Sequence, residues 1–152
     1  MGRNRGNASG NSSAQKTRTC AGCGRVITWR RAWADSWHEI RWCSDACRRR
    51  GIRPVDEALE AALIRLLEAG GLNATISPDD AITDVRTSLG CIDVKSTGKD
   101  GGLAAHDLVE PARRAARRLV AQGKAQMLQH GREVDPSTAR GPIQLRKLQF
   151  DE

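Results

Sequence analysis

The sequence predicts two parts of different construction: a small module held together by four cysteines, followed by a larger α+β domain. The cysteines stand in two close pairs, Cys20-x2-Cys23 and Cys43-x3-Cys47, in the first third of the chain. The remainder shows apolar residues at helical spacing between helix-start and helix-stop signals. It ends in two short segments of strand character joined by a long loop rich in Gly and Pro. These observations place two folding units on one chain.

Composition divides the chain into three segments. Residues 1–17 are rich in Gly, Asn and Ser with scattered Arg and Lys, and a segment of this kind is expected to be a disordered basic tail. The cysteine module is predicted over 18–53, and the α+β domain over 54–152. A linker at 51–54, containing Gly and Pro, separates the two.

The spacing of the cysteines predicts a bound metal ion. Short loops of two and three residues let each pair chelate one ion, and the nineteen residues between the pairs let them face each other. Four thiolates at the corners of a tetrahedron form the closed site that structural Zn²⁺ prefers. The predicted ligands are Cys20, Cys23, Cys43 and Cys47. Two disulfides are the alternative, but the first residues offer no apolar run for a secretory signal, so a cytoplasmic location with reduced thiols is expected.

The two pairs are predicted to lie on different local structures. Gly22 and Gly24 permit a tight turn around a metal at the first pair. Ser44 or Asp45 can cap a short helix that carries the second pair. A turn followed by a helix-borne pair is the layout of treble-clef zinc modules, so the module is expected to be treble-clef-like.

Tryptophan is confined to this module. Trp29, Trp33 and Trp37 recur every four residues, so a helix would carry them on one side. Two interpretations remain open: the rings form the small core of the module, or at least one ring is exposed and stacks on a base or a protein partner.

The α+β domain is predicted to contain three helices followed by two strands. The first helix covers 56–69, the second starts at Ser77 and ends between 85 and 89, and the third covers 104–121. Strands are predicted at 125–129 and 143–148. Three helices followed by a β-hairpin is the order of the winged helix, a variant of the helix-turn-helix. The hairpin is its predicted wing.

The positive charge of the chain is concentrated in the cysteine half. The formal net charge is +7. Residues 1–53 hold 12 Lys and Arg against 3 Asp and Glu, whereas residues 54–152 hold 13 against 15. A dense positive field attracts polyanions, and nucleic acid, DNA or RNA, is the commonest such partner. The predicted contacts are Arg25, Arg30, Arg31, Arg48, Arg49 and Arg50 in the module, and Arg113, Arg114, Arg117 and Arg118 on the third helix as a recognition helix.

Several function classes are disfavoured. A four-cysteine site leaves no open metal position for water or substrate, and no Ser/His/Asp arrangement or phosphate-binding Gly loop is present, so the chain is not expected to be an enzyme. No small-molecule substrate is evident. Cys91 stands alone and is expected to be an inert thiol. No segment approaches the length of apolar chain that spans a membrane.

Both parts resemble known families. The run from Cys20-Ala-Gly-Cys23-Gly to Trp42-Cys43-Ser-Asp-Ala-Cys47 resembles a small Trp-rich four-cysteine family of bacterial proteins catalogued as a domain of unknown function. The second half, through Leu108-Val-Glu-Pro-Ala-Arg-Arg and Arg140-Gly-Pro-Ile-Gln-Leu, is similar to a second uncharacterised bacterial family that is expected to be winged-helix. The resemblances imply a metal site and a fold, and no activity.

Three functions are carried forward as hypotheses. The first is a non-catalytic, zinc-containing nucleic-acid-binding protein, which includes the possibility of a DNA-binding regulator. The alternative is a protein-interaction adaptor that docks its Trp-rich module and winged helix on a larger partner. A third is redox or thiol sensing through the cysteines.

Overall fold

The computed structural model describes residues 16–89 and 105–148. The cysteine part begins with an antiparallel pair of strands, β1 (Thr17–Thr19) and β2 (Val26–Thr28). Two 3₁₀ helices, Arg31–Trp33 and Trp37–Glu39, follow, and a short helix α1 (Asp45–Arg50) ends this part. Cys91 and the predicted tail lie outside the described residues, apart from the end of the tail at 16–17.

The α+β part has three helices and a four-stranded antiparallel sheet. Helix α2 (Pro54–Ala69) is followed by β3 (Thr75–Ile76), α3 (Pro78–Leu89), a 3₁₀ turn (Ala105–Leu108) and α4 (Val109–Ala121). Strands β4 (Ala125–Gln129), β5 (Arg132–Glu133) and β6 (Gln144–Lys147) complete the sheet, whose order is β3-β6-β4-β5. The predicted α+β class and the three helices are confirmed.

Local signals explain where the helices begin. Helix α2 starts at Pro54, whose fixed φ suits the first turn, and the Asp56 carboxylate accepts a hydrogen bond from the Arg53 backbone N–H at 2.8 Å. At α3, Ser77 Oγ accepts from Asp79 N–H at 3.2 Å, and Asp80 accepts from Ser77 N–H at 2.8 Å. This reciprocal pair is a capping box with an aspartate in the third helical position.

The larger core lies between the three helices and the sheet. Apolar residues of α2, α4, β4 and β6 meet there with no exposure to solvent or almost none. The large apolar side chains most deeply buried in this core are Leu59, Leu63, Leu108, Leu119, Met127 and Leu145. Leu145 on the central strand β6 pairs with Ile76 on one side and Met127 on the other, so the two-residue strand β3 is held in the sheet.

The prediction of one helix bearing three tryptophans is wrong. The segment forms two separate 3₁₀ turns, and Trp29 precedes the first of them. Trp33 and Trp37 nevertheless stack, with ring centroids 6.3 Å apart and an interplanar angle of 18°. They pack with Ile40 and Trp42 against Cys20, Cys23, Ile27 and Cys47, which form a second, smaller core. The core interpretation therefore holds for Trp33 and Trp37.

Within the described residues, every helix falls short of the length and apolarity needed to cross a bilayer.

Candidate metal centre

The four cysteines of the module meet at one point. Their Sγ atoms all lie within 4.8 Å of one another, and Cys43 Sγ is 3.5 Å from Cys23 Sγ and 3.4 Å from Cys47 Sγ. Four Zn–S bonds of about 2.3 Å in a tetrahedron would separate the sulphurs by about 3.8 Å. The cluster therefore has the size and the donor set to hold a metal ion.

Two short structures bring the sulphurs together. The turn after β1, residues 20–25, is named the cysteine turn. It is closed by hydrogen bonds from Gly24 N–H to Cys20 O at 3.0 Å and from Cys20 N–H to Arg25 O at 2.8 Å. Ser44 caps α1 by accepting from Cys47 N–H at 3.2 Å, as predicted. A hydrogen bond joins the turn to the segment before α1, because Cys43 N–H donates to Cys20 Sγ at 3.3 Å.

The thiols differ in their protonation behaviour. Burial raises the pKa of Cys20, but the backbone N–H groups of Cys23, Cys43 and Gly22 outweigh it and lower that pKa to about 7. Burial, with hydrogen bonds to the Cys47 and Cys23 sulphurs, raises the pKa of Cys43 to about 12. Burial also raises the pKa of Cys23. A bound cation favours the thiolate form of all its ligands, so metal binding is expected to release protons.

Helix α4 contacts this centre through its arginines. Arg114 Nη2 donates to Cys47 Sγ at 2.9 Å. Arg117 Nε donates to Cys23 O at 2.6 Å, and Arg118 Nη1 donates to Gly22 O at 2.8 Å. One side-chain sulphur and two backbone carbonyls of the cysteine module are thus held by successive turns of a helix in the other part of the chain.

Carboxylates of the α+β part balance these buried cations. The Arg117 guanidinium pairs with Glu110 at 2.5 Å, and Arg118 Nε pairs with Glu60 at 2.9 Å. Arg118 also donates to the Asp56 backbone carbonyl at 3.3 Å. Each arginine therefore spans from an acidic partner on its own side to the cysteine turn on the other.

A second connection joins α1 to α2. Both Nη atoms of Arg50 donate to the Asp56 carboxylate, at 2.9 and 2.8 Å, and Asp56 is completely buried. Burial raises the pKa of Asp56, but the Arg50 guanidinium and the Arg53 N–H hold it below the ordinary aspartate range. A smaller contact lies at the β4–β6 connection, where Ser137 Oγ accepts from Val26 N–H at 2.9 Å.

The predicted nucleic-acid contacts on α4 require correction. Arg117 and Arg118 are only 3% and 6% exposed, so the prediction that they reach phosphates or base edges is wrong. Their guanidinium groups are bound inside the protein because the cysteine turn needs partners for its carbonyl groups. Arg114 is half-buried on Cys47, and Arg113 donates to Gly141 O at 2.7 Å and Ala139 O at 3.3 Å.

The arginines of the module divide into two groups. Arg50, also a predicted contact, is occupied by Asp56 and has a side chain only 20% exposed. The other predicted contacts are exposed on the surface of the module. These are Arg25, Arg30, Arg31, Arg48 and Arg49. Arg30 lies over the Trp33 ring, 5.3 Å from its centroid, and Arg48 lies 3.7 Å from Asp45.

Sequence reasoning missed the residues that join the two parts. Asp56 carries one signal, because an aspartate in the first turn after Pro54 indicates a cap, but nothing nearby in sequence predicts its pairing with Arg50. Ser137 carries none. Gly24 was expected to permit a turn, and its φ of +73° agrees with that role.

Comparison with known proteins finds two families in tandem. Residues 11–50 match the family described as an uncharacterised protein conserved in bacteria, DUF2256. Residues 56–148 match the family described as a protein of unknown function, DUF3253. No curated protein matches the chain. The predicted fusion of two such families is confirmed. Because the second match covers more than half of the chain, the chain belongs to the DUF3253 family, and a segment similar to DUF2256 precedes the matched region.

Proposed function

We propose that this chain is a non-catalytic, zinc-stabilised nucleic-acid-binding protein whose contact surface is the exposed basic side of the cysteine module. The observation that carries the proposal is the separation of two sets of arginines. One set on α4 is buried and holds the module in place, whereas the set formed by Arg25, Arg30, Arg31, Arg48 and Arg49 is exposed.

Zinc is the metal that suits the centre best. Tetrahedral sites of four thiolates take Zn²⁺ or iron–sulphur clusters, and four sulphurs within 4.8 Å suit a single ion. All four ligands come from the protein, so the ion would be structural and would stabilise a treble-clef-like unit. Four unpaired thiols suit a reducing compartment such as the cytoplasm.

The topology of the second part supports a winged helix. Strand β3, which lies between α2 and α3, pairs with the last strand β6, and β6 pairs with β4. Helix α4 then occupies the position of the recognition helix, and residues 130–143 occupy that of the wing. Both contact the cysteine module, through Arg114, Arg117, Arg118 and Ser137. The surface that a winged helix offers to DNA is therefore covered here.

Electrostatics favours the module as the contact surface. Its described residues 16–50 hold nine Lys and Arg against three Asp and Glu. Four thiolates around Zn²⁺ carry a net charge of about −2, so the module stays positive after the centre is included. The α+β part has an excess of acidic residues and supplies no comparable field.

A salt titration tests the proposal. The zinc-loaded full chain is titrated against labelled single-stranded DNA, double-stranded DNA and single-stranded RNA, with anisotropy as the readout, between about 50 and 200 mM salt. We expect the Arg48→Ala/Arg49→Ala variant to bind all three polymers more weakly. Its slope of log K against log salt should be smaller by about 1–2, because two phosphate contacts are lost.

A matched variant controls for net charge. Arg86→Ala/Arg132→Ala removes two exposed charges from α3 and β5 and should leave the salt slope unchanged. Arg50 is kept in both variants, since its loss would leave the buried Asp56 carboxylate without its guanidinium partner. Equal binding by the Arg48/Arg49 variant and the parent would rule out the proposed surface.

The adaptor remains the second candidate, and one observation favours it. A cleft of about 350 Å³ on the module is bordered by Trp33, Ile40 and Trp42, with charged groups of both signs at its rim. Mixed charge around aromatic walls suits a protein segment as a ligand. Absence of binding to all three polymers in the titration would favour this candidate.

A further inference from the structure

We propose that Cys43 is the oxidation site of the four-cysteine centre, and that its reaction with hydrogen peroxide releases the bound ion. The inference rests on the metal-binding part of the proposed function and is independent of nucleic-acid binding. It assigns one corner of the centre a chemical role that the other three do not share.

Exposure separates Cys43 from the other ligands. Cys20, Cys23 and Cys47 are 0%, 5% and 8% exposed, whereas Cys43 is exposed to solvent. It borders the open cleft described above, together with Trp42, Ser44 and Arg48. A bound cation holds all four ligands as thiolates, so accessibility is what distinguishes them, and a small oxidant meets Cys43 first.

Hydrogen bonding also distinguishes Cys43 from the other three cysteines. Cys43 N–H donates to Cys20 Sγ at 3.3 Å and Arg114 Nη2 donates to Cys47 Sγ at 2.9 Å. At Cys23, the nearby Arg25 backbone N–H acts to lower the pKa of the thiol against the effect of burial. Within the described residues, Cys43 Sγ contacts two other sulphurs and the Ser44 hydroxyl at 3.8 Å, and it receives no N–H group. A donor withdraws electron density from a ligating sulphur, so the sulphur without one is the stronger nucleophile.

The neighbouring sulphurs allow the reaction to continue. The Cys43 thiolate attacks one peroxide oxygen, an S–O bond forms, the O–O bond breaks and hydroxide leaves. The thiolate of Cys47 or Cys23, at 3.4 or 3.5 Å, then attacks the Cys43 sulphur, the S–O bond breaks and a second hydroxide leaves. Two thiolates lose two electrons in total, and the peroxide gains them. The resulting disulfide removes two of the four ligands, so the ion is no longer held.

Release would also affect the contact with α4. Cys47 Sγ is the acceptor of Arg114, and the turn that holds Cys23 supplies the acceptors of Arg117 and Arg118. Either disulfide would therefore alter an acceptor on which the arginines of α4 depend.

Limited labelling of the intact protein tests the proposal without changing Cys43. The zinc-loaded full chain, with Cys91→Ser to remove the fifth cysteine, is treated with substoichiometric iodoacetamide or with peroxide. Trypsin places Cys20 and Cys23 in one peptide and Cys43 and Cys47 in another, so fragmentation mass spectrometry locates the modified residue. A chromophoric chelator measures released Zn²⁺ in the same samples.

We expect the first adduct on Cys43, and zinc release in step with Cys43 oxidation. A first adduct on Cys20, Cys23 or Cys47, or zinc release without loss of the Cys43 thiol, would overturn the proposal. Purified protein without stoichiometric metal would overturn both this inference and the proposed zinc site. Metal-containing protein with another reactive corner would overturn this inference alone.

A variant on α4 sharpens the test. Arg114→Gln removes the guanidinium from Cys47 Sγ, so the share of adduct on Cys47 should rise relative to Cys43. Arg113→Gln is the matched control, because the neighbouring Arg113 side chain donates to loop carbonyls and not to a sulphur. An unchanged adduct distribution in Arg114→Gln would contradict the role given to N–H donors.

Discussion

Gly24 carries two structural requirements at one position. Its φ of +73° lies in the left-handed region, which costs a residue with a side chain about 1–3 kcal/mol. A Cβ built there would lie 2.6 Å from the Arg117 backbone carbon and the Arg118 nitrogen. The absence of a side chain therefore lets the cysteine turn approach the backbone of α4 closely enough for the two arginines to reach its carbonyls.

We expect Gly24→Ala to destabilise the protein more than backbone strain alone explains. Gly123→Ala is the matched control, because Gly123 has a φ of +72° and nothing within 4 Å of its Cβ position. The control should cost about 1 kcal/mol and Gly24→Ala about 3 kcal/mol or more, since the clash is with backbone atoms. Urea denaturation of both zinc-loaded variants measures the difference. Equal losses would show that the close approach to α4 is relaxed at little cost.

At the scale of elements, α4 packs its polar face against the cysteine module and joins the two parts of the chain. Its Ala112, Ala115 and Leu119 pack into the larger core, as an amphipathic helix requires. Arg114, Arg117 and Arg118 face the cysteine module, where each finds a sulphur or carbonyl acceptor. Arg113 instead donates to loop carbonyls of the α+β part. A helix with a basic face usually offers that face to water or to an anionic partner, but here the module provides the acceptors.

Arg118→Gln tests whether α4 holds the cysteine module or acts as a recognition helix. Three acceptors, Gly22 O, Glu60 and Asp56 O, lose their donor, so the free energy of unfolding should fall by about 3 kcal/mol. Arg113→Gln, on the same helix with acceptors in a surface loop, should cost about 1 kcal/mol. Under conditions where both variants are folded, the salt slope for nucleic acid should equal that of the parent. A smaller slope with unchanged stability would restore α4 as a contact surface.

At the scale of the whole molecule, the two parts share one interface and their stabilities should be coupled. The contacts include the Arg50–Asp56 pair, the three arginines of α4 and the Ser137 hydroxyl. Several depend on the conformation of the cysteine turn, which a bound metal ion would stabilise. Loss of the ion should therefore weaken the α+β part, although none of the four cysteines lies in it.

Chelation measures this coupling with two separate signals. All four tryptophans lie in the module, so their fluorescence reports on that part alone, whereas most helical residues lie in α2, α3 and α4. We expect chelation to shift the tryptophan emission to the red and to lower the urea midpoint of the helical circular dichroism signal. The loss for the α+β part should be about 1–3 kcal/mol, because buried donors lose their acceptors. Re-added Zn²⁺ should restore both signals, and an unchanged helical midpoint would show that the parts are independent.

Local chemistry made much of this fold predictable. The cysteine spacing indicated the cluster, Ser44 and Ser77 indicated two helix starts, and the apolar stripes indicated three helices. The predicted strand at 125–129 coincides with β4. Strand β3 was missed because two residues show no period. The predicted tryptophan helix was wrong because four-residue spacing is also compatible with two short 3₁₀ helices joined by a turn.

The sequence by itself determined the two close cysteine pairs, the helices and the concentration of positive charge in the cysteine half, because each depends on neighbours a few residues away. Only the tertiary structure decided which arginines face solvent. Arg48 and Arg118 are chemically identical, and both follow helical patterns that leave their destination open. The difference arises because the carbonyls of the cysteine turn are buried against α4 and need donors, and that requirement exists only once the two parts are packed together.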